Sequence, residues 1–295
     1  MSLRRQLPPL LFAALVVGCS GSSKTSTPAS PNGAHAAATA FPAAGPPFVV
    51  PGERMTYRVT AHEVTLAAFA LEVGTQKETL HDRPAIIVQA GAESTGVAAL
   101  VKPLKAEFAT WLDTETGEPL VFRVTETAGR GDETIESNEA RFTELAEGKL
   151  PIATKRPDGT EIVEIQNVVP PQKPIDTMTF LMALRAWDGQ AGETHSIDVV
   201  RSRFVWRTQV KLVGRTPVVT DLGELPAVKF DATTSRIMRD GSIDKGTEAR
   251  HFSMWISDDA DRVPLLLVAE SDYGDIKLEI VDYAAGSGHN LAGSR

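Results

Sequence analysis

Six histidines, one cysteine and a tight run of aspartates are the residues of this 295-residue chain with types suited to chemistry. In "WISDDADR", Asp258, Asp259 and Asp261 gather three carboxylates, raw material for a metal site or for acid–base work. A calcium loop would carry a central glycine and close on a glutamate, and this run has neither. It lies between two alternating segments and ends in Arg262, so it reads as a turn in which Asp bonds its own backbone. His35, His62, His81, His195, His251 and His289 show no i, i+4 pair of the kind a zinc helix uses, and no cysteine joins them. His62-Glu63 and His81-Asp82 read as turn residues, and His251 as part of the polar face of a strand. No Gly-x-Ser-x-Gly elbow and no glycine loop for phosphate is present. A serine–histidine–acid set could assemble only from dispersed residues. The expectation is a protein that is not an enzyme and takes no metal and no cofactor.

The single thiol has a context of its own. Arg4 and Arg5 precede the apolar run Leu10–Val17, which is too short to span a bilayer as a helix of about 20 residues. Small Gly18 follows, then Cys19. The stretch Val16-Val17-Gly18-Cys19 resembles the bacterial lipobox. That resemblance implies that residues 1–18 are a lipoprotein signal peptide and that Cys19 is the lipid-attachment residue, its sulfur taking the diacylglyceryl group. One acyl chain binds a membrane only marginally, at about 0.8 kcal/mol per buried methylene, whereas the three chains of such lipoproteins anchor in effect permanently. The expected location is the cell envelope, lipid-anchored. Ser20, rather than Asp, follows the cysteine and by the same resemblance favours the outer membrane.

Arg4 and Arg5 are the only charged residues of the signal, so its removal takes the formal charge from −8 to −10. An acidic chain argues against nucleic-acid partners and against basic adhesion to anionic lipid. Residues 19–47 are rich in Ser, Thr, Ala, Pro and Gly and read as a lipidated flexible tether. Residues 48–283 read as a single β-rich domain, and 284–295 as a loose tail. One cysteine permits no disulfide within the chain.

The domain is patterned with period two. Met55, Tyr57 and Val59 alternate with Arg54, Thr56 and Arg58; Phe204, Trp206, Val210 and Leu212 oppose Arg207, Gln209 and Lys211; Ile276, Leu278 and Ile280 oppose Lys277 and Glu279. Short Gly, Pro and Asp connections favour antiparallel meanders. Gly129–Lys155 reads as a long polar connection. One segment, about 176–188, reads instead as a prominent helix, capped by Asp176 or Thr177 and stopped by Gly189. It is apolar over much of its circumference and needs cover on more than one side. Phe180, Leu184 and Trp187 on it could line an apolar cavity or fill a closed core.

"PGERMTYRV", "ATWLDTETGEPLVFRV", "PIDTMTFLMALRAW", "GRTPVVTDLGELPAVKF" and "MWISDDADRVPLLLVAESDYGDIKLEIVDY" occur in that order. The set resembles the bacterial envelope family known as domain of unknown function 3108, over Phe48 to Tyr283. The resemblance implies an envelope location and a mainly β fold: an antiparallel curved sheet or half-barrel packed on one helix, similar in outline to lipoprotein carriers. It implies no established activity. The function expected first is non-catalytic binding of a hydrophobic or amphiphilic envelope molecule. The alternative is a structural lipoprotein that scaffolds another envelope protein through a sheet edge or loop, and a hydrolase with a dispersed site ranks third. The partners expected are the membrane, through the anchor, and either a lipid ligand or an envelope protein.

Overall fold

A computed structural model describes residues 41, 44–101, 103–128, 133–169, 173–271 and 274–293. Cys19, the signal segment and most of the tether lie outside the described residues. Within them, sequence alternation becomes alternation of burial. In β1 (Arg54–Ala61), Met55, Tyr57 and Val59 are buried and Arg54, Thr56 and Arg58 are not. β2 (Val64–Val73) pairs with β1, setting Tyr57 against Phe69 and Met55 against Leu71. Both two-residue turns in this region are built as expected: His62, Glu63, His81 and Asp82 all have positive φ, as tight hairpins require.

The described residues form one long mixed sheet of sixteen strands that is not closed. After β3 (Glu78–Leu80), an antiparallel arm continues through β4 (Arg83–Ser94), β5 (Leu104–Asp113), β6 (Pro119–Ala128), β7 (Glu133–Arg141), β8 (Lys149–Lys155) and the edge strand β9 (Glu161–Asn167). A second arm begins at the other edge with β10 (Ile175–Asp176), which runs parallel to β11 (Thr194–Arg201). It continues antiparallel through β12 (Phe204–Arg215), β15 (Ala227–Ile237), β16 (Arg250–Ser257), β17 (Pro264–Ser271) and β18 (Gly274–Ala284). β13 (Val218–Thr220) and β14 (Gly223–Leu225) form a separate ribbon. β18 pairs with β1, so the two arms join where the domain begins and ends.

Bonds outside the ladder tie the two arms to each other. Thr110 donates to Asp176 at 2.8 Å, Asn138 to Ser202 at 2.8 Å, and the Asn167 amide to the Arg239 carbonyl at 2.9 Å. The segment Gly129–Lys155, expected as a connection, contributes β7 and β8. Its strands were concealed by composition: part of its inward face is polar, with buried Asn138 holding Thr154 and Ser202.

The helix expectation needs correction on number and length. The described residues hold two α-helices, α1 (Gly96–Val101) and α2 (Thr177–Ala186). α2 starts after Asp176, whose Oδ1 accepts from the Met178 and Thr179 amides at 2.8 and 3.1 Å. It ends before Trp187 rather than at Gly189. Arg262 stops it by donating to the carbonyls of Arg185 and Trp187 at 3.0 and 2.8 Å. Glycine is needed at 189 for another reason: the space a Cβ would take is filled by the Trp187 indole and the Glu193 carboxylate. α2 lies between two apolar clusters. Met178 and Met182 pack with the first arm; Phe180, Leu184 and Trp187 pack with the second. That is why its apolar surface runs round most of its girth.

The ends of the domain are also fastened. Phe41 stacks on His195 with centroids 5.0 Å apart and packs against Trp187 at the same distance. The segment expected as a loose tail folds back instead: the Ser287 amide donates to Pro51 at 3.1 Å and the Leu291 amide to Val49 at 3.0 Å.

Candidate functional site

An apolar cleft opens between α2 and strands β16, β17 and β18. Its walls include Phe69, Phe180, Leu181, Phe252, Met254 and Leu267. Its cavity volume is about 100 Å³, and the space between its walls, open solvent at the mouth included, is about 840 Å³. The cavity is smaller than the roughly 150 Å³ that admits a benzene ring in an apolar core. A long chain therefore has to use the mouth or displace lining side chains.

The three helix residues singled out in the sequence do not act together. Phe180 lines the cleft. Leu184 and Trp187 do not; they are buried among Ile197, Val210, Leu212 and Phe230 in a filled core. The cause is helical geometry: Leu184 and Trp187 lie one and two turns beyond Phe180, where the second arm closes over α2.

The two ends of α2 differ in charge. At its C-terminal end Arg185 is fully buried, 0% exposed, and so is Glu53. They form a two-pronged pair, Nη1 to Oε1 at 2.7 Å and Nη2 to Oε2 at 2.8 Å. Arg185 also donates to the carbonyls of Arg262 at 3.0 Å and Asp261 at 2.9 Å, and lies over the Phe48 ring. The aspartate run thus supports a turn. Asp259 accepts from the Ser257 hydroxyl at 2.7 Å and from the amides of Asp261 and Arg262 at 3.0 Å. Three quoted segments far apart in sequence, carrying Glu53, Arg185 and Arg262, meet in this one plug. Tyr283 lies close enough that burial, then Asp261 and Glu53, push its hydroxyl up to about 12.

At the N-terminal end stands Arg201, the only charged residue lining the cleft among the described residues. Sequence reading passed over it, although a period-two count from Ile197 and Val199 puts it on the apolar face of β11. No carboxylate pairs with it among the described residues. Its contacts are a long bond to Thr234 Oγ1, 3.5 Å, and the face of Trp206, 5.5 Å away. Burial lowers its pKa to about 10, which still leaves it charged at neutral pH. Trp206 is 3% exposed, and its indole N–H has no acceptor among the described residues. Its neighbour across the ladder, Arg236, likewise has a buried Nε without a hydrogen-bond acceptor, but that Nε is ion-paired with Asp244 at 3.9 Å and the guanidinium lies over the Phe204 ring. The carboxylates of this end are turned elsewhere: Glu136 takes Asn138 at 2.7 Å and Arg203 at 3.5 Å, and burial followed by Glu136 pushes the Glu126 carboxyl up.

His195 is buried between Trp187 and Phe41, and burial lowers its pKa against the opposing pull of Glu193. His251 is exposed and shares a 3.0 Å bond with Thr233. Among the described residues no group of three or more His, Cys, Asp or Glu converges as metal ligands would.

The model of the protein family of unknown function DUF3108 matches residues 55–281. The chain belongs to that family. No curated protein matches the DUF3108 chain. Among solved structures it is similar to a beta-barrel-like protein of domain of unknown function DUF1849 from Brucella abortus. The two share 11% identity and a TM-score of 0.53, over 81% of this chain and 99% of that one. At that identity the likeness shows a common fold and nothing of function. A protein with a YmcC-like fold from Bacteroides fragilis overlaps more loosely, with 9% identity and a TM-score of 0.36 over 82% and 100% of the two chains. The hypothetical lipoprotein YmcC from Escherichia coli (K12) does so at 5% and 0.27, over 80% and 86%.

Proposed function

We infer that this DUF3108 protein is a lipid-anchored envelope protein whose β domain binds a hydrophobic or amphiphilic envelope molecule without catalysis. The observation that carries the binding reading is the apolar cleft beside α2, with Phe180, Phe252 and Leu267 in its walls and a mouth open to solvent. Concave, mostly apolar sites with few polar groups are the usual form of small-molecule sites. Support for the anchor comes from Val16-Val17-Gly18-Cys19 alone. The test of binding is native mass spectrometry of the full chain purified gently from a bacterial envelope, with organic extraction. One amphiphile per chain is expected. A clean apo mass, with no uptake of envelope lipids added back, would overturn the reading. For the anchor, Cys19→Ser is expected to leave an unprocessed precursor without lipid label, and normal labelling would contradict it.

One observation favours the scaffold as a second reading. β9 is an edge strand with Ile162, Val163 and Ile165 exposed, a surface on which another chain could add a strand. A stoichiometric protein partner in native pull-downs, without lipid, would support it.

A further inference from the structure

We propose that Arg201 is the head-group site of this cleft, and that the ligand is a single-chain amphiphile with an anionic oxygen head, its tail among Phe180, Phe252 and Leu267. The proposal rests on the binding reading above and narrows it to one chemical class.

Three observations lead to it. Arg201 is the cleft's only charged wall residue, and its guanidinium meets no carboxylate among the described residues. A guanidinium held against apolar surface without a counter-charge is costly, and a carboxylate or phosphate supplies what it lacks through paired N–H···O bonds. Beside it the N–H of the Trp206 indole, the ring over which the Arg201 guanidinium lies, is a buried donor without an acceptor among the described residues. Natural proteins rarely leave such donors unmet. The size of the cleft limits the tail: about 100 Å³ leaves no room for two chains, and a single chain enters by using the mouth or displacing lining side chains.

Topology adds a route. The β11–β12, β1–β2 and β4–β5 connections share one rim of the sheet, because successive antiparallel hairpins alternate between rims. Arg201 ends β11 on that rim. On the same rim α1 holds Val97, Leu100 and Val101 in solvent, 67%, 73% and 80% exposed. The opposite end of α2 is sealed by Arg185 and Glu53.

The test is equilibrium dialysis of the full chain against radiolabelled dodecanoate, dodecyl phosphate and dodecanol, each below its micellar concentration. At least one anion is expected to bind about ten-fold or more tighter than the alcohol, the gain of a charge-assisted hydrogen bond. Arg201→Gln should bring that ratio near one, and Arg201→Lys, which keeps charge but loses the fork, should fall between. The comparison of anion with alcohol on the unaltered chain needs no variant to fold. Equal binding of all three ligands, unchanged in Arg201→Gln, would overturn the head-group assignment and leave apolar binding standing. No binding of any of them would overturn both.

Discussion

Two arginines at opposite ends of one helix are held in opposite ways. Arg185 is fully buried, doubly bonded to Glu53, bonded to two carbonyls and stacked on Phe48. Arg201 faces an apolar cleft with one long bond to a threonine and no carboxylate among the described residues. The first has every donor role filled from within the chain, as a structural ion pair must. The second retains unused donors, as a recognition group does before its ligand arrives. Satisfaction of donors, rather than burial or residue type, separates the plug of the sheet from its mouth.

The largest effect is expected at the plug. Arg185→Ala or Glu53→Ala should cost about 3–5 kcal/mol in urea unfolding, since each leaves an uncompensated buried charge. A double variant with apolar residues at both positions should cost much less than the sum; simple additivity would mean that the pair is not coupled. Arg262→Ala should cost about 1–3 kcal/mol, from two helix-end carbonyls left without their donor.

Acid should weaken the first arm through Asp113. Burial alone would raise that carboxyl, but the Thr116 and Glu115 amides and Arg83 outweigh it and hold it below the usual range. A depressed carboxyl stabilises the fold above its unfolded pKa, and that contribution disappears as pH falls through the lower folded value. Asp113→Asn should therefore flatten the acid limb below about pH 4, the ordinary aspartate range, and leave neutral-pH ligand binding alone. The smallest loss of stability is expected at the mouth. Arg201→Gln should not lower the unfolding free energy, since it removes a charge held against apolar surface without a counter-charge.

The β architecture was legible because each strand keeps one buried face, and alternation at Met55, Tyr57 and Val59 survives folding directly. The cap at Asp176 was legible too, being local chemistry. β7 and β8 were not, because buried Asn138 and Thr154 look like surface residues until their partners across the sheet are known. The cleft was half legible. Helical spacing grouped Phe180 with Leu184 and Trp187, yet only the position of β16 and β17 decides which of them meets open space. Arg201 was overlooked because a charged residue in a strand is ordinarily assigned to solvent, and parity with Ile197 and Val199 was the signal against that. The meeting of Glu53, Arg185 and Arg262 lies beyond any local rule, since their segments are far apart in the chain.

The most direct test of the contrast is a set of thermal melts on the full chain, Arg185→Gln and Arg201→Gln, each with and without a saturating anionic C12 amphiphile. A ligand that binds only the folded state raises the melting temperature. Arg201→Gln is expected to melt no lower than the unaltered chain in the absence of ligand and to gain little or nothing from it. Arg185→Gln should melt far lower under both conditions. Arg201→Gln melting as low as Arg185→Gln, or keeping the full ligand shift, would contradict the division between plug and mouth.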